Sequence, residues 1–186
     1  KMKKIINQIE TERLILRPFT MEDLDIIELL YGNPNIMKYM PCGPLSDEEI
    51  KIHLKNIVEE GEKESPDNFE MAVVSKADNT KIGRAHLSMD YEGDSAMIGW
   101  LIIESEWGKG YATEISKGLF DFCFKELNLH RVTALCNPNN TGSWKVLEKC
   151  GMRKEAHFVQ KVKYKRGEEY SWEDEAAYAI LKEEYI

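Results

Sequence analysis

Apolar and polar positions alternate with period two in some stretches of this chain and recur at helical spacing in others, and the switches between the two mark its elements. Arg13 to Pro18 (Arg-Leu-Ile-Leu-Arg-Pro) alternates and is closed by proline, which predicts a first strand. Thr20 then offers an N-cap with Asp23 in the first turn, and Leu24, Ile27 and Leu30 follow at helical spacing until Gly32-Asn33-Pro34 stops them. Ser46 with Glu49 three residues on is a capping box; Ile50, Leu54, Ile57 and Val58 give a second helix its apolar face, and Gly61 ends it.

From Phe69 the pattern is that of strands: Phe69 to Ser75, a turn at Ala77-Asp78-Asn79-Thr80, Lys81 to Asp90, a turn at Glu92-Gly93-Asp94, and Ala96 to Ile103. The last of these is almost continuously apolar, as a central strand covered on both faces must be. A glycine-rich turn at Gly108-Lys109-Gly110 leads into a helix from Tyr111 to Leu127 and a strand from Arg131 to Cys136, a unit that implies a parallel pair with a right-handed crossover. A further helix, Thr141 to Lys149, follows Asn139 or Asn140 as N-cap and stops at Gly151. Met152 to Val162 and Ala176 to Leu181 read as two more strands, with Tyr164 to Asp174 a polar connection between them.

With 186 residues, one domain is expected. The longest apolar stretches fall far short of the roughly 20 residues that span a bilayer, and Lys1 to Glu10 carries no secretory apolar core, so a cytoplasmic location is expected. Cys42, Cys123, Cys136 and Cys150 have neither metal-site nor redox-motif spacing and read as reduced, mostly core residues. A net charge of −8 argues against a nucleic-acid backbone as partner and favours cationic ligands such as amines. The basic run Arg153 to Arg166 and the acidic run Glu168 to Glu175 read as solvated faces of a hairpin.

The informative segment is Trp100 to Glu114, where a buried strand runs through two glycines straight into a helix. Free N–H groups at such a helix start form an anion site, and side chains at Gly108 or Gly110 would hold a pyrophosphate away from them. The spacing is not that of a P-loop, and Thr113 stands where a dinucleotide fingerprint has its third glycine. A tight strand-to-helix turn with no ligand remains an equal reading of the glycines alone.

Trp107-Gly-Lys-Gly-Tyr-Ala-Thr-Glu114 resembles the acetyl-CoA pyrophosphate loop of the GNAT superfamily, with Trp107 where the general pattern has Gln or Arg. The branch that acetylates ribosomal-protein N-termini (RimJ/RimL) commonly has this form. Thr11-Glu-Arg-Leu-Ile-Leu-Arg-Pro-Phe-Thr-x-Glu-Asp23, Leu129 to Ala134, Asn140-x-x-Ser143-x-x-Val146-Leu-Glu-Lys-x-Gly151-Met152 and Asp174-x-x-x-Tyr178-x-x-Leu181 are similar to that branch in the same order. The resemblance implies one α/β domain with a mixed sheet of six to seven strands, splayed where the strand ending at Ile103 meets the strand starting at Arg131, with helices on both faces. It implies acetyl-CoA as cosubstrate, no metal, and acetyl transfer to an amine by direct attack. It assigns the backbone of Ile102 and Ile103 to the pantetheine arm and the amides of Gly108, Lys109, Gly110, Tyr111, Ala112 and Thr113 to the pyrophosphate. Asn140 is assigned to the pantetheine or its amide, and Ser143 to the neighbourhood of the sulfur. Helix capping alone is the other reading of Asn140, and a surface position that of Ser143.

Two proton tasks follow: the acceptor ammonium must lose a proton, and the departing thiolate must be stabilised. Many GNAT enzymes use a Tyr one turn beyond the Asn for the second task; here that position is Leu147, which leaves Ser143. Candidate bases are Glu104, beside the loop, then Glu114, His86, Asp90 and Asp174, with Glu114 read as structural. A peptide α-amine with pKa near 8 is roughly 10% neutral at pH 7 and a lysine-like amine near 10.4 under roughly 0.1%, a gap of about 3 kcal/mol. Lacking an evident base, the chain leans toward an α-amine acceptor, such as a ribosomal-protein N-terminus. A small-amine acetyltransferase and a non-catalytic CoA-binding domain are the alternatives. The helices between Thr20 and Gly61 and the segment Tyr164 to Trp172 are expected to contact the acceptor; Tyr170 and Trp172 could line that site or pack in a core or dimer interface, and the C-terminal hairpin is compatible with a homodimer.

Overall fold

The computed structural model of the chain describes residues 7–64 and 66–185. Strands β1 (Ile9–Glu10), β2 (Leu14–Pro18), β3 (Asn68–Ser75), β4 (Lys81–Asp90) and β5 (Ser95–Ile102) pair antiparallel with their sequence neighbours. β6 (Arg131–Cys136) lies parallel to β5, and β8 (Glu169–Leu181) separates it from β7 (Arg153–Arg166), giving the order β1-β2-β3-β4-β5-β6-β8-β7. The sheet thus has eight strands where six to seven were expected; the addition, β1, is a two-residue strand too short to show a period.

The supposed connection Tyr164 to Asp174 is also strand, joined through a tight turn at Gly167, whose φ is +63°. Both faces of this hairpin are polar because its charges pair across the strands, as Lys161 with Glu175 (2.6 Å) and His157 with Asp174 (2.7 Å). Register shifts between Lys154 and Ala156 and between Phe158 and Val162 also break the period of two.

Alternation along the strands gives the sheet two buried faces. Helices α1 (Leu24–Tyr31) and α2 (Asp47–Gly61) cover one, packing Ile26, Ile27, Leu30, Ile50 and Leu54 over Ala72 and Leu101. Helices α3 (Tyr111–Asp121) and α4 (Thr141–Lys149) cover the other, where Ile115, Leu119, Phe120 and Leu147 meet Val73, Ile98 and Val132. Each such side chain removed from water contributes about 1.5–3 kcal/mol. A π-helical turn, Phe122–Glu126, continues α3, and a short helix α5 (Lys182–Tyr185) ends the described chain. The capping box at Ser46 and Glu49 forms as expected. β5 and β6 pair only at Ser95 to Met97 with Arg131 to Thr133 and then diverge, so the splay lies in the middle of the sheet.

Thr20 does cap, although what it caps is a 3-10 turn, Met21–Asp23, leading into α1. Asp23 is buried there against Arg17 (2.8 and 2.9 Å), Lys81 (3.0 Å) and the Thr20 N–H (2.9 Å). Burial pushes its carboxyl up, but Arg17, the Thr20 amide and Lys81 outweigh that and hold it far below the usual carboxylate range. The charged form therefore stabilises the fold above the ordinary Asp pKa of about 3.9, and that contribution fades as pH falls toward the lower folded value. Asp23→Asn is expected to lose about 2–3 kcal/mol at pH 7 by urea unfolding, somewhat under the cost of breaking a fully buried pair because Arg17 is partly exposed. The gap to the parent protein should narrow only below about pH 4.

Candidate active site

The loop between β5 and α3 places both glycines in the left-handed region, Gly108 at φ +75° and Gly110 at φ +81°. Nothing lies within 4 Å of where a Cβ at Gly108 would stand, so the space above it is open to a ligand. Gly110 is the N-cap of α3 and supplies no side chain to the first turn, leaving the leading amides of Tyr111, Ala112 and Thr113 without a side-chain cap. Such a turn can receive a pyrophosphate.

The loop is braced from the other end of the chain. Glu114 accepts bonds from the Thr11 hydroxyl (2.6 Å), the Arg13 N–H (2.7 Å) and the Arg13 guanidinium (2.7 Å). Arg13 also donates to the Lys109 carbonyl (3.0 Å) and stacks 4.4 Å over the Tyr111 ring. Burial raises the Glu114 carboxyl, but Thr11 and Arg13 hold it below its ordinary value, so it is structural. Lys109 Nζ pairs with Glu106 at 2.9 Å, beside the loop. A cavity of about 430 Å³ borders Gly110 and Thr113 on the side of β1, but Glu10, Glu12, Glu114 and Asp121 line it and would repel phosphates.

Just past the end of β5 the N–H of Ile103 bonds to the Ile82 carbonyl of β4 at 3.0 Å. By the alternation of an antiparallel ladder, Ile98, Trp100 and Ile102 then turn their backbone groups toward the splay. Trp107 fills one of these, donating its indole N–H to the Ile102 carbonyl at 2.7 Å. The backbone facing the splay is therefore that of Trp100 and Ile102, and the Ile103 N–H, expected there, is already paired with β4. Period-two counting along the strand could have revealed Trp100; nothing in the pattern signalled the tie from Trp107.

At the start of α4 the Asn140 side-chain oxygen accepts the Ser143 N–H (3.2 Å), so Asn140 is a true N-cap whose carboxamide NH₂ is left over. The Ser143 hydroxyl has no hydrogen-bond partner among the described residues and is half-buried. Leu147 is core, so the usual tyrosine position is closed to chemistry. α3 and α4 both begin at the carboxyl ends of the parallel strands and flank the mouth of the splay.

On the opposite face a groove of about 440 Å³ is lined by Lys38, Tyr39, Asn137, Tyr164, Arg166 and Glu173, so the two segments expected to contact the acceptor do converge. Tyr164 donates to the Tyr39 carbonyl (2.7 Å) and receives the Asn137 amide (3.4 Å), while Arg166 donates to the carbonyls of Met37, Lys38 and Met40. Tyr170 and Trp172 point away, 60% and 50% exposed, and line neither the groove nor a core. Glu104 is exposed on the turn after β5 and accepts bonds from the side-chain amides of Asn33 (2.6 Å) and Asn35 (3.2 Å). Asp90 caps the Gly93 turn and Asp174 the bulge at Gln160, whereas His86 faces inward under α1 and α2. Among the described residues no group of three His, Cys, Asp or Glu could hold a metal ion, and no helix is long and apolar enough to cross a membrane.

A splayed parallel pair, an uncapped glycine-bounded helix start beside it and a groove on the far side suit a transferase that holds a phosphate-bearing donor along the open strand edge and meets a second substrate from the other face. The sequence profile of the acetyltransferase (GNAT) domain matches residues 13–153, and the chain belongs to the GNAT acetyltransferase family. It is 34% identical over 178 residues to an uncharacterized N-acetyltransferase, YnaD, of Bacillus subtilis (strain 168), covering 95% of this chain and 98% of that one. Its structure is similar to that of a GNAT acetyltransferase from Bacillus anthracis (TM-score 0.82, 31% identity, 95% and 99% of the two chains). It is also similar to a spermidine N-acetyltransferase from Vibrio cholerae in complex with CoA and spermine (TM-score 0.78, 26% identity, 93% and 98%). The activity is thus acetyl-CoA-dependent N-acetyl transfer.

Gly110→Asp should weaken acetyl-CoA binding at least about tenfold by calorimetry, since a like charge against a poorly screened phosphate exceeds about 1.4 kcal/mol. Gly110→Asn, whose side chain tolerates the same positive φ without the charge, should bind within a few-fold of the parent. Equal losses in the two variants would deny the loop its phosphate.

Proposed function

We propose that the acceptor is an α-amine at a peptide or protein N-terminus, in the manner of the RimJ/RimL branch, and that Ser143 assists departure of the CoA thiol. The charge of the acceptor groove carries the first part: Glu173 is its one carboxylate, set against the cations Lys38 and Arg166. One carboxylate suits a single ammonium followed by neutral peptide, whereas a polyamine brings several positive charges and would meet two of its own sign. The second reading, a polyamine, is favoured by the likeness to the spermidine N-acetyltransferase reported above. The amides of residues 108 to 113 hold the pyrophosphate, the Trp100 and Ile102 backbone and the Asn140 carboxamide hold the pantetheine arm, and the unpartnered Ser143 hydroxyl lies beside it. Glu104 serves from the rim, where its contacts to Asn33 and Asn35 fix the turn after α1 against the end of β5. Cys42, Cys123, Cys136 and Cys150 are all free thiols, which suits a reducing compartment such as the cytoplasm.

The test is release of free CoA at pH 7 with a Ser-initiated peptide, the same peptide N-blocked and carrying an internal lysine, and spermidine. The free N-terminus is expected to give the highest kcat/KM; a preference for spermidine or for the lysine peptide refutes the α-amine reading. Ser143→Ala is expected to lower kcat about tenfold, equivalent to about 1.4 kcal/mol at the transition state, with little change in the acetyl-CoA KM. A parental kcat would remove Ser143 from the chemistry.

A further inference from the structure

The sheet face beneath α1 and α2 carries polar groups that these roles leave unused: Glu70 on β3, Arg84 and His86 on β4, and Tyr31 and His53 from the helices. Arg84 is buried, ion-paired to Glu70, and lies 5.6 Å over the Tyr31 ring, which in turn meets the His53 ring at 4.4 Å. Two buried nitrogens here, Arg84 Nε and His53 Nε2, have no hydrogen-bond partner among the described residues. An apolar core would not leave donors and acceptors of this kind unpaired, so the region suits a polar occupant.

His86 sits at the inner end of that region. Its strand partner is Gly99, two residues past Met97, where β5 makes its last pair with β6. The imidazole therefore lies beside the crotch of the splay, on the sheet face that α1 and α2 cover. A Cβ at position 99 would stand 3.9 Å from His86 Nδ1, so that nitrogen leans over the bare glycine toward the gap. The other nitrogen, Nε2, is 3.4 Å from the Asn68 carboxamide oxygen, which accepts and does not donate. That contact puts the ring proton on Nε2 and leaves Nδ1 as a bare lone pair facing the splay.

We propose that His86 Nδ1 takes the proton from the acceptor ammonium, with Asn68 positioning the ring. The inference rests on the acetyl transfer established for the family and not on the identity of the acceptor. In the step, one ammonium proton moves to Nδ1 and the freed nitrogen lone pair forms the bond to the acetyl carbon. The carbon–sulfur bond breaks, its electron pair leaves with sulfur, and the second proton shed by the nitrogen on amide formation converts thiolate to thiol. The imidazolium then returns its proton to water, so charge and atoms balance.

Burial holds His86 below the ordinary histidine value of about 6.5; Glu70 on the neighbouring strand pushes it up and Arg84 on its own strand pushes it down. His53, facing the same pair from α2, is likewise lowered by burial. The ring is then neutral and ready at pH 7.

Nitrogen-15 NMR of the imidazoles tests the proposal without any acceptor. At pH 7 the signal missing from His86→Gln should be that of a neutral ring protonated on Nε2; a charged ring or an Nδ1–H tautomer overturns the assignment. For whichever of a Ser-initiated peptide and spermidine is turned over faster, kcat/KM should rise with one acid limb below about pH 6.5 and level off well under the amine's own pKa. His86→Gln should be about 100-fold slower and climb until the amine itself deprotonates. Asn68→Asp, at an exposed position, should move the acid limb upward by placing a carboxylate on the Nε2–H, and it decides the matter if His86→Gln does not fold. A limb that stays in place in these variants, or that disappears in Glu104→Gln, overturns the proposal. Failure of the α-amine reading shows separately, in which acceptor is faster.

Discussion

β5 and β6 hold together through three residue pairs and then part, and everything the protein does depends on the backbone left unpaired by that parting. Buried N–H and C=O groups without partners cost free energy comparable to a lost hydrogen bond, so an interior gap in a sheet needs something to fill it. Trp107 satisfies one carbonyl from within the chain. The rest of that strand edge, Trp100 and the Ile102 N–H, suits an extended amide-bearing chain that binds as one more strand would. The same divergence sends α3 and α4 off with their N-termini side by side, which brings the anion site and Asn140 to one mouth without further adjustment.

What keeps the anion site in shape comes from far away in sequence. Left-handed backbone at Gly108 and Gly110 is tolerated without side chains, but a loop of that kind is also free to move. The Thr11, Arg13 and Glu114 network ties it to the start of β2, with Arg13 reaching past the carboxylate to the Lys109 carbonyl. The N-terminal Thr-Glu-Arg run therefore shapes the glycine loop from a distant point in the sequence, with the Arg13 guanidinium beside Gly110. Asp23, a few residues on, performs a similar service for the other face by holding Arg17 and Lys81 where α1 begins.

The elements that could be read from sequence are those whose boundaries are set by local chemistry. Asn140 and Gly151 frame α4 because one accepts an amide at the first turn and the other adopts a φ of +92° that few residues reach. The glycine loop was legible for the same reason. The hairpin β7–β8 was not, because its polar faces, cross-strand ion pairs and bulges erase the alternation that marks a half-buried strand. The groove on the opposite face was legible only in outline: Tyr164 bonds to Tyr39 across 125 residues and to Asn137 across 27, and no local pattern records such a meeting. His86 looked like one titratable group among several until its cross-strand partner proved to be glycine.

The division of labour between the two faces has a further consequence. The glycine loop and the starts of α3 and α4 occupy one continuous run from β5 to α4, while the groove on the opposite face takes only Asn137 and Asn139 from that run and the rest of its wall from the turn after α1 and the tip of the β7–β8 hairpin. Drift in residues 38–39 and 164–173 can reshape the groove while the donor half stays as it is. A lineage carrying this architecture can therefore change what it modifies far faster than it can change how, and relatives alike in their glycine loops need share no acceptor.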